Sequence, residues 1–149
     1  MKIALATPGG GHLTELQKIF SKDVLEGNEP IYFAEVSSRT RNLKEKKYLF
    51  KPLGDNPIDY FPCLIKCLRI LRKEKIDMIA TTGGEIALPA IVAGWMLGLK
   101  TIFIESVTRV EMPSLAGKLC YPFSKLFLVQ NRETLSYFGK KAKYYGGIV

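Results

Sequence analysis

A run of three glycines followed by the only histidine of the chain could bind an anion and move a proton. Gly9, Gly10 and Gly11 precede His12 and follow a short apolar run. Glycines let a ligand approach the backbone closely, and the unpaired N–H groups of a following helix attract an anion. His12 could act as a base near neutral pH, face a phosphate, or only hydrogen-bond the loop. Because G-x-G-x-x-G and Gly-Lys-Ser/Thr are absent, dinucleotide and P-loop sites are disfavoured.

Glu15 and a second glycine pair extend this set of candidate groups. Glu15 lies three residues after His12, where its carboxylate could either stabilise the helix dipole or orient the loop. Gly83 and Gly84 again follow an apolar run and precede an apolar, helix-like segment. The same physics therefore predicts a second turn in which backbone N–H groups can face a ligand.

A third candidate loop combines a carboxylate with an arginine. Glu105 ends an apolar run and is followed by Ser106 and, three residues later, by Arg109. The acid and the arginine could form a structural ion pair. Alternatively, Glu105 could hold a hydroxyl while Arg109 binds a phosphate, since a guanidinium matches phosphate geometry.

Alternating strand-like and helix-like runs must position these loops. The predicted strands are Ile3–Thr7, Ile31–Val36, Tyr48–Leu53, Met78–Thr82, Thr101–Glu105, Leu126–Gln130 and Lys143–Tyr145. The predicted helices are His12–Phe20, Ile58–Lys75, Ile86–Leu97, Ser114–Tyr121 and Arg132–Phe138. This order predicts an α/β fold, a Rossmann-like parallel sheet with helices on both faces. Because the carboxyl ends of parallel strands share one edge, we expect the three loops to converge.

The helix Ile58–Lys75 has two faces, and a polar loop precedes it. Its apolar residues are expected to face the sheet; they are Ile58, Phe61, Leu64, Ile65, Leu68 and Leu71. Its outer stripe is cationic and consists of Lys66, Arg69 and Lys73. The stripe is either a solvated face or a contact with anionic lipid headgroups, and nucleic acid is disfavoured because no recognition motif is present. The stretch Ser37–Lys47 is polar and basic and indicates a long loop, with room for a short helix.

Length and composition fit one globular domain over residues 1–149. Lys plus Arg number 22 and Asp plus Glu number 14, so the net charge is +8, and 47% of residues are hydrophobic. These values exclude a disordered or coiled-coil protein. The longest nonpolar run, Ile86–Leu99, is too short to span a membrane, and no signal peptide is visible. The three cysteines, without a C-x-x-C pair, are expected to be buried hydrophobes in a reducing compartment, and no metal site is expected.

Several segments resemble one family of glycosylation proteins. Gly10–Glu15 is similar to the N-terminal loop of the asparagine-linked-glycosylation protein fourteen family, the membrane-recruiting subunit of the two-part UDP-N-acetylglucosamine transferase of the dolichol pathway. Glu105–Lys118, Phe127–Gln130 and Tyr144–Val149 resemble later segments of that family. Bacterial exopolysaccharide glycosyltransferase subunits share the pattern, and the N-terminal half of the lipid II N-acetylglucosaminyltransferase resembles it more distantly. Two features depart from the family: eukaryotic members have an N-terminal membrane helix, and Gly147 occupies a position that is often charged.

The resemblance implies that this chain is a single acceptor-side domain of a GT-B glycosyltransferase. A separate donor-binding subunit would supply a UDP-sugar, such as UDP-N-acetylglucosamine, and the acceptor would be a polyprenyl-diphosphate-linked sugar. No cofactor or metal is implied, and the protein would lie on the cytoplasmic face of a membrane, attached through a basic or apolar surface patch. The expected catalytic residues are His12 and Glu105, either of which could be the general base. The expected acceptor- or phosphate-binding residues are Gly9, Gly10, Gly11, Glu15, Gly83, Gly84, Ser106 and Arg109. The expected partner interface comprises Tyr144, Tyr145, Ile148 and Val149.

Two other functions remain compatible with the sequence. The chain could be a purely structural subunit that recruits a partner to a membrane without taking part in chemistry. It could also be a self-contained small Rossmann enzyme that binds a nucleotide, for which Glu35, near the end of the second strand, would bind the ribose.

Overall fold

A computed structural model describes residues 1–147 as an open parallel sheet flanked by helices. The strands are β1 (Lys2–Thr7), β2 (Glu29–Glu35), β3 (Lys47–Phe50), β4 (Met78–Thr81), β5 (Lys100–Ile104), β6 (Leu126–Val129) and β7 (Ala142–Tyr144). The helices are α1 (Gly10–Ile19), α2 (Ser38–Arg41), α3 (Tyr60–Lys73), α4 (Ala87–Met96) and α5 (Leu115–Cys120). Short 3₁₀ helices cover Pro57–Asp59, Tyr121–Phe123 and Arg132–Tyr137. Ile148 and Val149, expected in a partner interface, lie outside the described residues.

The sheet has the order β3-β2-β1-β4-β5-β6-β7, and every neighbouring pair is parallel. From β1 the chain first builds outward to β2 and β3, and then returns to place β4 on the other side of β1. The direction of building therefore reverses between β1 and β4. In open α/β sheets, ligands bind in the crevice outside the carboxyl ends of the strands at this reversal.

Helices cover both faces of the sheet, as the sequence predicts. On one face, α1 contributes Leu13 and Leu16 to a buried cluster that includes Leu5 of β1. On the other face, α3, α4 and α5 pack over a larger cluster that includes Phe33 and Phe103. Strands buried on both faces consist of nearly continuous apolar runs, which explains why β1 and β2 show no polar alternation.

The predicted phase of the long helix is partly wrong. Ile58 and Phe61 are exposed, at 75% and 65%, instead of facing the sheet. Asn56 caps the 3₁₀ turn that holds Ile58, with its side chain accepting a hydrogen bond from the Ile58 N–H at 3.1 Å. Residue 58 therefore lies outside α3 and does not follow its helical phase.

The side of α3 that faces the sheet is built around two cysteines. Its buried residues are Cys63, Cys67, Ile70 and Leu71. Leu64 and Leu68 are partly buried against the same cluster. Cys120 is also buried, and all three thiols are free, as expected of small apolar side chains. The cationic stripe of Lys66, Arg69 and Lys73 is exposed as expected.

One other segment differs from the sequence prediction, and the basic stretch contains the short helix for which the prediction left room. Arg132–Phe138, predicted as a helix, forms only the 3₁₀ segment Arg132–Tyr137. The basic stretch Ser37–Lys47 contains α2, whose start is capped by Ser37 and Thr40 through reciprocal hydrogen bonds.

Among residues 1–147, no helix is both long enough and apolar enough to cross a lipid bilayer.

Candidate functional site: a cleft at the carboxyl edge of the sheet

The first two glycine loops pack against each other. Gly84, with φ of +87°, lies so close to Pro8 that a Cβ on it would overlap the proline ring. A Cβ on Gly83 would come within 3.1 Å of His12 Cε1. Because β1 and β4 are neighbours in the sheet, the loops that follow them meet directly above the strand ends. Both glycines therefore serve close packing at the rim of the site.

A cleft of about 640 Å³ opens at this edge. The structure brings five of the residues singled out from the sequence to its wall: His12, Gly84, Glu105, Ser106 and Arg109. Its other lining residues are Pro8, Asp55, Pro57, Tyr60, Glu85, Leu88, Thr108, Ser114, Leu115, Ala116 and Leu119. The expected convergence of the three loops is thus observed.

The three glycines of the first loop do not line the cleft, but Gly9 and Gly10 adopt backbone conformations that favour glycine. Gly9 and Gly10 have φ values of +102° and +54°, and Gly9 is the residue that precedes α1. The Gly9 N–H donates to Thr7 Oγ1 at 3.0 Å. Arg39 donates to the Gly10 carbonyl at 3.0 Å and to Thr14 Oγ1 at 2.8 Å, which ties α2 to this loop. The loop is therefore held from outside by α2.

His12 is held as a neutral imidazole by the loop after β4. Its Nδ1 lies 3.2 Å from Thr82 Oγ1, and the same hydroxyl donates to the His12 carbonyl at 3.3 Å. When the hydroxyl gives its proton to that carbonyl, its oxygen accepts from Nδ1–H, and this tautomer leaves Nε2 unprotonated. Burial lowers the pKa of His12 below its usual 6.5, and the neighbouring carboxylates only partly oppose this shift. His12 can therefore accept a proton near neutral pH.

Glu15 ties three strand ends together. Its carboxylate is 7% exposed and accepts hydrogen bonds from Ser106 Oγ at 2.5 Å and from the Val107 N–H at 3.3 Å. Gln130, directly after β6, donates to it at 3.0 Å. Glu15 is thus hydrogen-bonded to protein groups and orients the loops after β5 and β6. An orienting role was one of the two that the sequence analysis allowed for it.

Glu105 caps the start of α5. It is 1% exposed and accepts from the Ser114 N–H at 3.0 Å and from Ser114 Oγ at 2.6 Å. Ser114 in turn accepts from the Gly117 N–H at 2.9 Å. Glu105 Oε2 would overlap a Cβ on Gly117, so glycine at that position makes room for the carboxylate. Through these contacts the Glu105 carboxylate holds the start of α5 in place.

Arg109 projects from the loop after β5 as an exposed side chain. The loop is pinned by Asn131, whose Nδ2 donates to the carbonyls of Val107 and Arg109 at 2.9 and 3.0 Å. In the part of the chain that the structure describes, the recorded ion pairs all involve Glu74, so the suggested pair between Glu105 and Arg109 is not formed. The guanidinium therefore remains available to a ligand.

Sequence reasoning missed several polar residues of this edge. Thr82, Ser114 and Gln130 act through hydrogen bonds to residues that were recognised. The available signal was their position, since Thr82 and Gln130 end predicted strands and Ser114 begins a predicted helix. Asp55, Tyr60 and Glu85, which line the cleft, were not singled out.

Within residues 1–147, no group of three His, Cys, Asp or Glu residues is arranged to hold a metal ion.

The aromatic residues near the C-terminus lie on the far edge of the sheet. Tyr144 belongs to β7, the edge strand, and the Arg132 guanidinium lies 5.4 Å from the centre of its ring. Tyr145 is strongly exposed. Three strands, β4, β5 and β6, separate β7 from β1, so these residues do not belong to the cleft.

Comparison with known proteins gives this geometry a context. The profile of the family described as "Oligosaccharide biosynthesis protein Alg14 like" matches residues 51–148. A curated relative from Staphylococcus aureus, UDP-N-acetylglucosamine--N-acetylmuramyl-(pentapeptide) pyrophosphoryl-undecaprenol N-acetylglucosamine transferase, is 29% identical over 167 residues. The alignment covers 99% of this chain and 46% of the relative, so the chain spans about half the length of the curated relatives it matches.

Solved structures share the fold at low sequence identity. MurG of Acinetobacter baumannii superposes with a TM-score of 0.81 at 16% identity, over 98% of this chain and 45% of that one. The UDP-GlcNAc 2-epimerase of Methanocaldococcus jannaschii gives 0.76 at 14% identity, over 99% and 46% of the two chains. The fold is therefore that of a GT-B N-terminal domain. Together with the family match, which covers about two thirds of the chain, this shows that the chain belongs to the Alg14-like family of oligosaccharide biosynthesis proteins.

Proposed function

We propose that this chain is the acceptor-binding half of a two-part GT-B glycosyltransferase. It binds a sugar linked to a polyprenyl diphosphate, and a donor-binding partner brings a UDP-sugar to the opposite wall. The observation that carries the proposal is the cleft at the β1/β4 reversal, where His12, Arg109 and the glycine loops meet. The name of the staphylococcal relative, which includes both a UDP-sugar and a pyrophosphoryl-undecaprenol acceptor, supports this substrate class.

His12 is the general base of the proposed reaction. The proton of the acceptor hydroxyl passes to His12 Nε2 while the hydroxyl oxygen bonds to the anomeric carbon of the donor. The bond from that carbon to the UDP oxygen breaks, and UDP leaves with the electron pair. A neutral imidazole can act as a base in such a step, and Nε2 is the free nitrogen when Nδ1 donates to Thr82 Oγ1.

Arg109 and the start of α1 bind the acceptor diphosphate. The guanidinium supplies paired N–H donors, and the positive end of the α1 dipole favours an anion nearby. Glu15 and Glu105 act indirectly, since both are buried and saturated with hydrogen bonds that fix the loop carrying Ser106 and Arg109. They are positioning residues in this proposal.

The partner and the membrane contact different surfaces. The proposed partner contact, following the family resemblance, comprises the half-buried Tyr144 and the exposed Tyr145, together with Ile148 and Val149. Exposed apolar side chains close to the cleft are the proposed membrane contact, on the cytoplasmic side; they are Ile58, Phe61, Met112 and Leu115. The basic stretch Ser37–Lys47 is less suited to lipid, because Arg39, Lys46 and Lys47 are engaged within the protein.

A purely structural recruiting role is the second candidate, and the saturation of Glu15 and Glu105 favours it. The self-contained nucleotide enzyme has less support, because Glu35, its proposed ribose ligand, is only 7% exposed. Stabilisation of the lone chain by NAD, measured as a shift in melting temperature, would instead favour that enzyme.

Co-expression with a donor-binding GT-B half tests the proposal. The purified pair should transfer sugar from a UDP-sugar to a polyprenyl-diphosphate sugar, whereas this chain alone should not. Full activity of the lone chain would refute the two-part arrangement. If the chain co-purifies with its partner but the His12→Ala pair turns over at the parent rate, the recruiting role is correct.

A further inference from the structure

Two exposed leucines of α5 line the cleft. Leu115 is 71% exposed and Leu119 is 44% exposed, and both contribute to the cleft wall. They lie four residues apart, so they share one side of the helix. The opposite side of α5 buries Gly117 and Cys120 against the protein. The side of α5 that faces the cleft is therefore apolar, although it is open to water.

This apolar side of α5 continues onto α4. Leu88, in the first turn of α4, and Ala116 also line the cleft, and both are partly buried against the main core cluster. The two helices contact each other. We call the surface formed by Leu88, Leu115, Ala116 and Leu119 the apolar wall. An apolar surface that stays open to solvent in a folded protein indicates contact with an apolar ligand or partner.

The segment that supplies most of the apolar wall also supplies a cation. Arg109 lines the cleft six residues before Leu115, and its guanidinium forms no ion pair within residues 1–147. The residues that line the cleft after Arg109 on this segment are uncharged; they are Ser114, Leu115, Ala116 and Leu119. The cleft thus offers a group that binds an anion next to a surface that favours hydrocarbon, which complements an amphiphile with an anionic head.

Hydrogen bonds hold the arginine loop and the apolar wall in a fixed arrangement. The buried carboxylate of Glu105, where the loop begins, accepts from the Ser114 N–H at 3.0 Å and from Ser114 Oγ at 2.6 Å. Ser114 directly precedes Leu115, so this contact fixes the start of the wall. Asn131 donates to the Arg109 carbonyl at 3.0 Å. A site that is already formed loses less conformational entropy when it binds its ligand.

We propose that the apolar wall binds the isoprenoid units nearest the diphosphate of the acceptor, so that this chain recognises the lipid as well as the diphosphate. The inference rests on the proposed function and gives the lipid a place within it. The diphosphate lies at Arg109, and the hydrocarbon chain runs along the α4–α5 side of the cleft. It leaves the cleft at Leu115, the most exposed member of the wall, which also belongs to the proposed membrane contact.

Contact with a bilayer surface does not by itself account for the whole wall. A bilayer surface meets protruding side chains, whereas Leu88 and Ala116 are partly buried and line a cavity of about 640 Å³. A single hydrocarbon chain can enter such a cavity, whose volume lies within the range of roughly 300–1,000 Å³ that is usual for small-molecule sites.

Calorimetric titration of the full chain with methyl diphosphate and geranyl diphosphate tests the inference without a membrane or a partner chain. The two soluble esters share a head group, and the geranyl ester adds two isoprene units. We expect geranyl diphosphate to bind about tenfold more tightly, or about 1.4 kcal/mol, because burial of apolar surface is favourable. Leu115→Gln/Leu119→Gln should reduce this ratio to about threefold or less, and glutamine preserves helix propensity at these exposed positions.

Two further variants serve as controls. Met96→Gln changes an exposed apolar residue at the end of α4 that does not line the cleft. This variant should keep the tenfold preference for the geranyl ester. Arg109→Ala should weaken the binding of both esters by a similar factor, because it removes a contact with the shared head group and leaves the apolar wall in place.

Equal affinity of the parent chain for the two esters would overturn the lipid site and leave the proposed function intact. An unchanged ratio in the α5 double variant would also overturn it. Loss of the preference in Met96→Gln would indicate nonspecific adsorption, and loss of the preference in Ile58→Ser/Phe61→Ser would place the lipid along α3; either result would contradict the inference. Failure of both esters to bind would contradict the diphosphate site of the proposed function, and the lipid site with it.

Discussion

Glu35 shows how a single side chain can make stability depend on pH. Its neighbours are the Leu53 amide, which favours the charged form, and Tyr60, Cys63 and Glu85, none of which is cationic. Burial dominates and raises the pKa from 4.5 to about 7 in the folded protein. The folded state therefore holds a proton that the unfolded state has lost between these two pH values.

The stability of the protein should accordingly fall as pH rises through 7. The contribution of Glu35 is fully present below its unfolded pKa and is lost above its folded pKa. Glu35→Gln cannot ionise, so the variant should melt several degrees above the parent at pH 8 and show no such advantage at pH 5, since about 1 kcal/mol shifts Tm by roughly 2–4 °C. Thermal unfolding at both pH values measures this.

The control for that experiment is Glu26→Gln, at an exposed acid in the turn before β2. Its melting temperature should track that of the parent at both pH values. A Glu35→Gln protein that is less stable than the parent at pH 8 would show that the carboxylate is satisfied in the folded state.

At the residue scale, the sequence was sufficient to identify candidate residues such as His12, but it did not predict how deeply the candidates are buried or which side chains they contact. His12 was recognisable because a lone histidine followed a glycine loop at a strand end. The burial of Glu35 depends on the covering helix α3, and the saturation of Glu105 depends on Ser114, nine residues further along. Such partners are brought together only by the tertiary fold, so a single sequence gives no signal for them.

At the scale of elements, α4 lies so close to the sheet that one position requires glycine. A Cβ on Gly94 would lie 2.6 Å from Ile79 Cγ2 and 3.0 Å from Thr101 Cγ2. Ile79 is in β4 and Thr101 in β5, so this contact fixes α4 against the two strands that lead to the second and third loops.

Gly94→Ala should therefore destabilise the protein by about 1–3 kcal/mol, because overpacking outweighs the gain in helix propensity. Urea unfolding measures the difference. Gly11→Ala in α1 is the control, since no atom lies within 4 Å of its added Cβ, and it should be neutral or stabilising by up to about 1 kcal/mol. An equally stable Gly94→Ala protein would contradict the close packing of α4.

The strands were easier to predict from the sequence than the phase of the long helix. Seven strands were predicted in order, because runs of apolar residues between turn signals are typical of a buried parallel sheet. The phase of α3 was misjudged because a 3₁₀ turn at Pro57–Asp59 precedes the helix, and apolar spacing across that junction looks helical. This turn accounts for the exposure of Ile58, whereas Phe61 lies inside α3 on a side of the helix away from its buried residues.

At the scale of the whole molecule, the order of elements decides where chemistry can occur. The alternation of strands and helices implied a parallel sheet, and a parallel sheet brings its loops to one edge. The convergence of three loops was therefore predictable, but the volume of the cleft and its full set of lining residues were not, because they depend on side chains from segments far apart in sequence.

The surface around the cleft mouth also predicts which side of the protein contacts a membrane. Ile58 and Phe61 lie next to the cleft mouth at Tyr60, and a cationic stripe follows on α3, a combination that favours anionic lipid. Sedimentation with anionic vesicles should recover the parent protein at low salt, and Ile58→Ser/Phe61→Ser should reduce the bound fraction several-fold. Val24→Ser, at an exposed apolar residue in another turn, should bind like the parent. Equal binding by the double variant would contradict this orientation.

The most direct test of the account is the turnover of the reconstituted pair carrying His12→Ala. Because the imidazole is the proposed base, the rate should fall by about 10²–10⁴-fold, while the melting temperature and the co-purification of the partner stay near those of the parent pair. A His12→Ala pair that transfers sugar at the parent rate would show that this cleft does not perform the proton transfer.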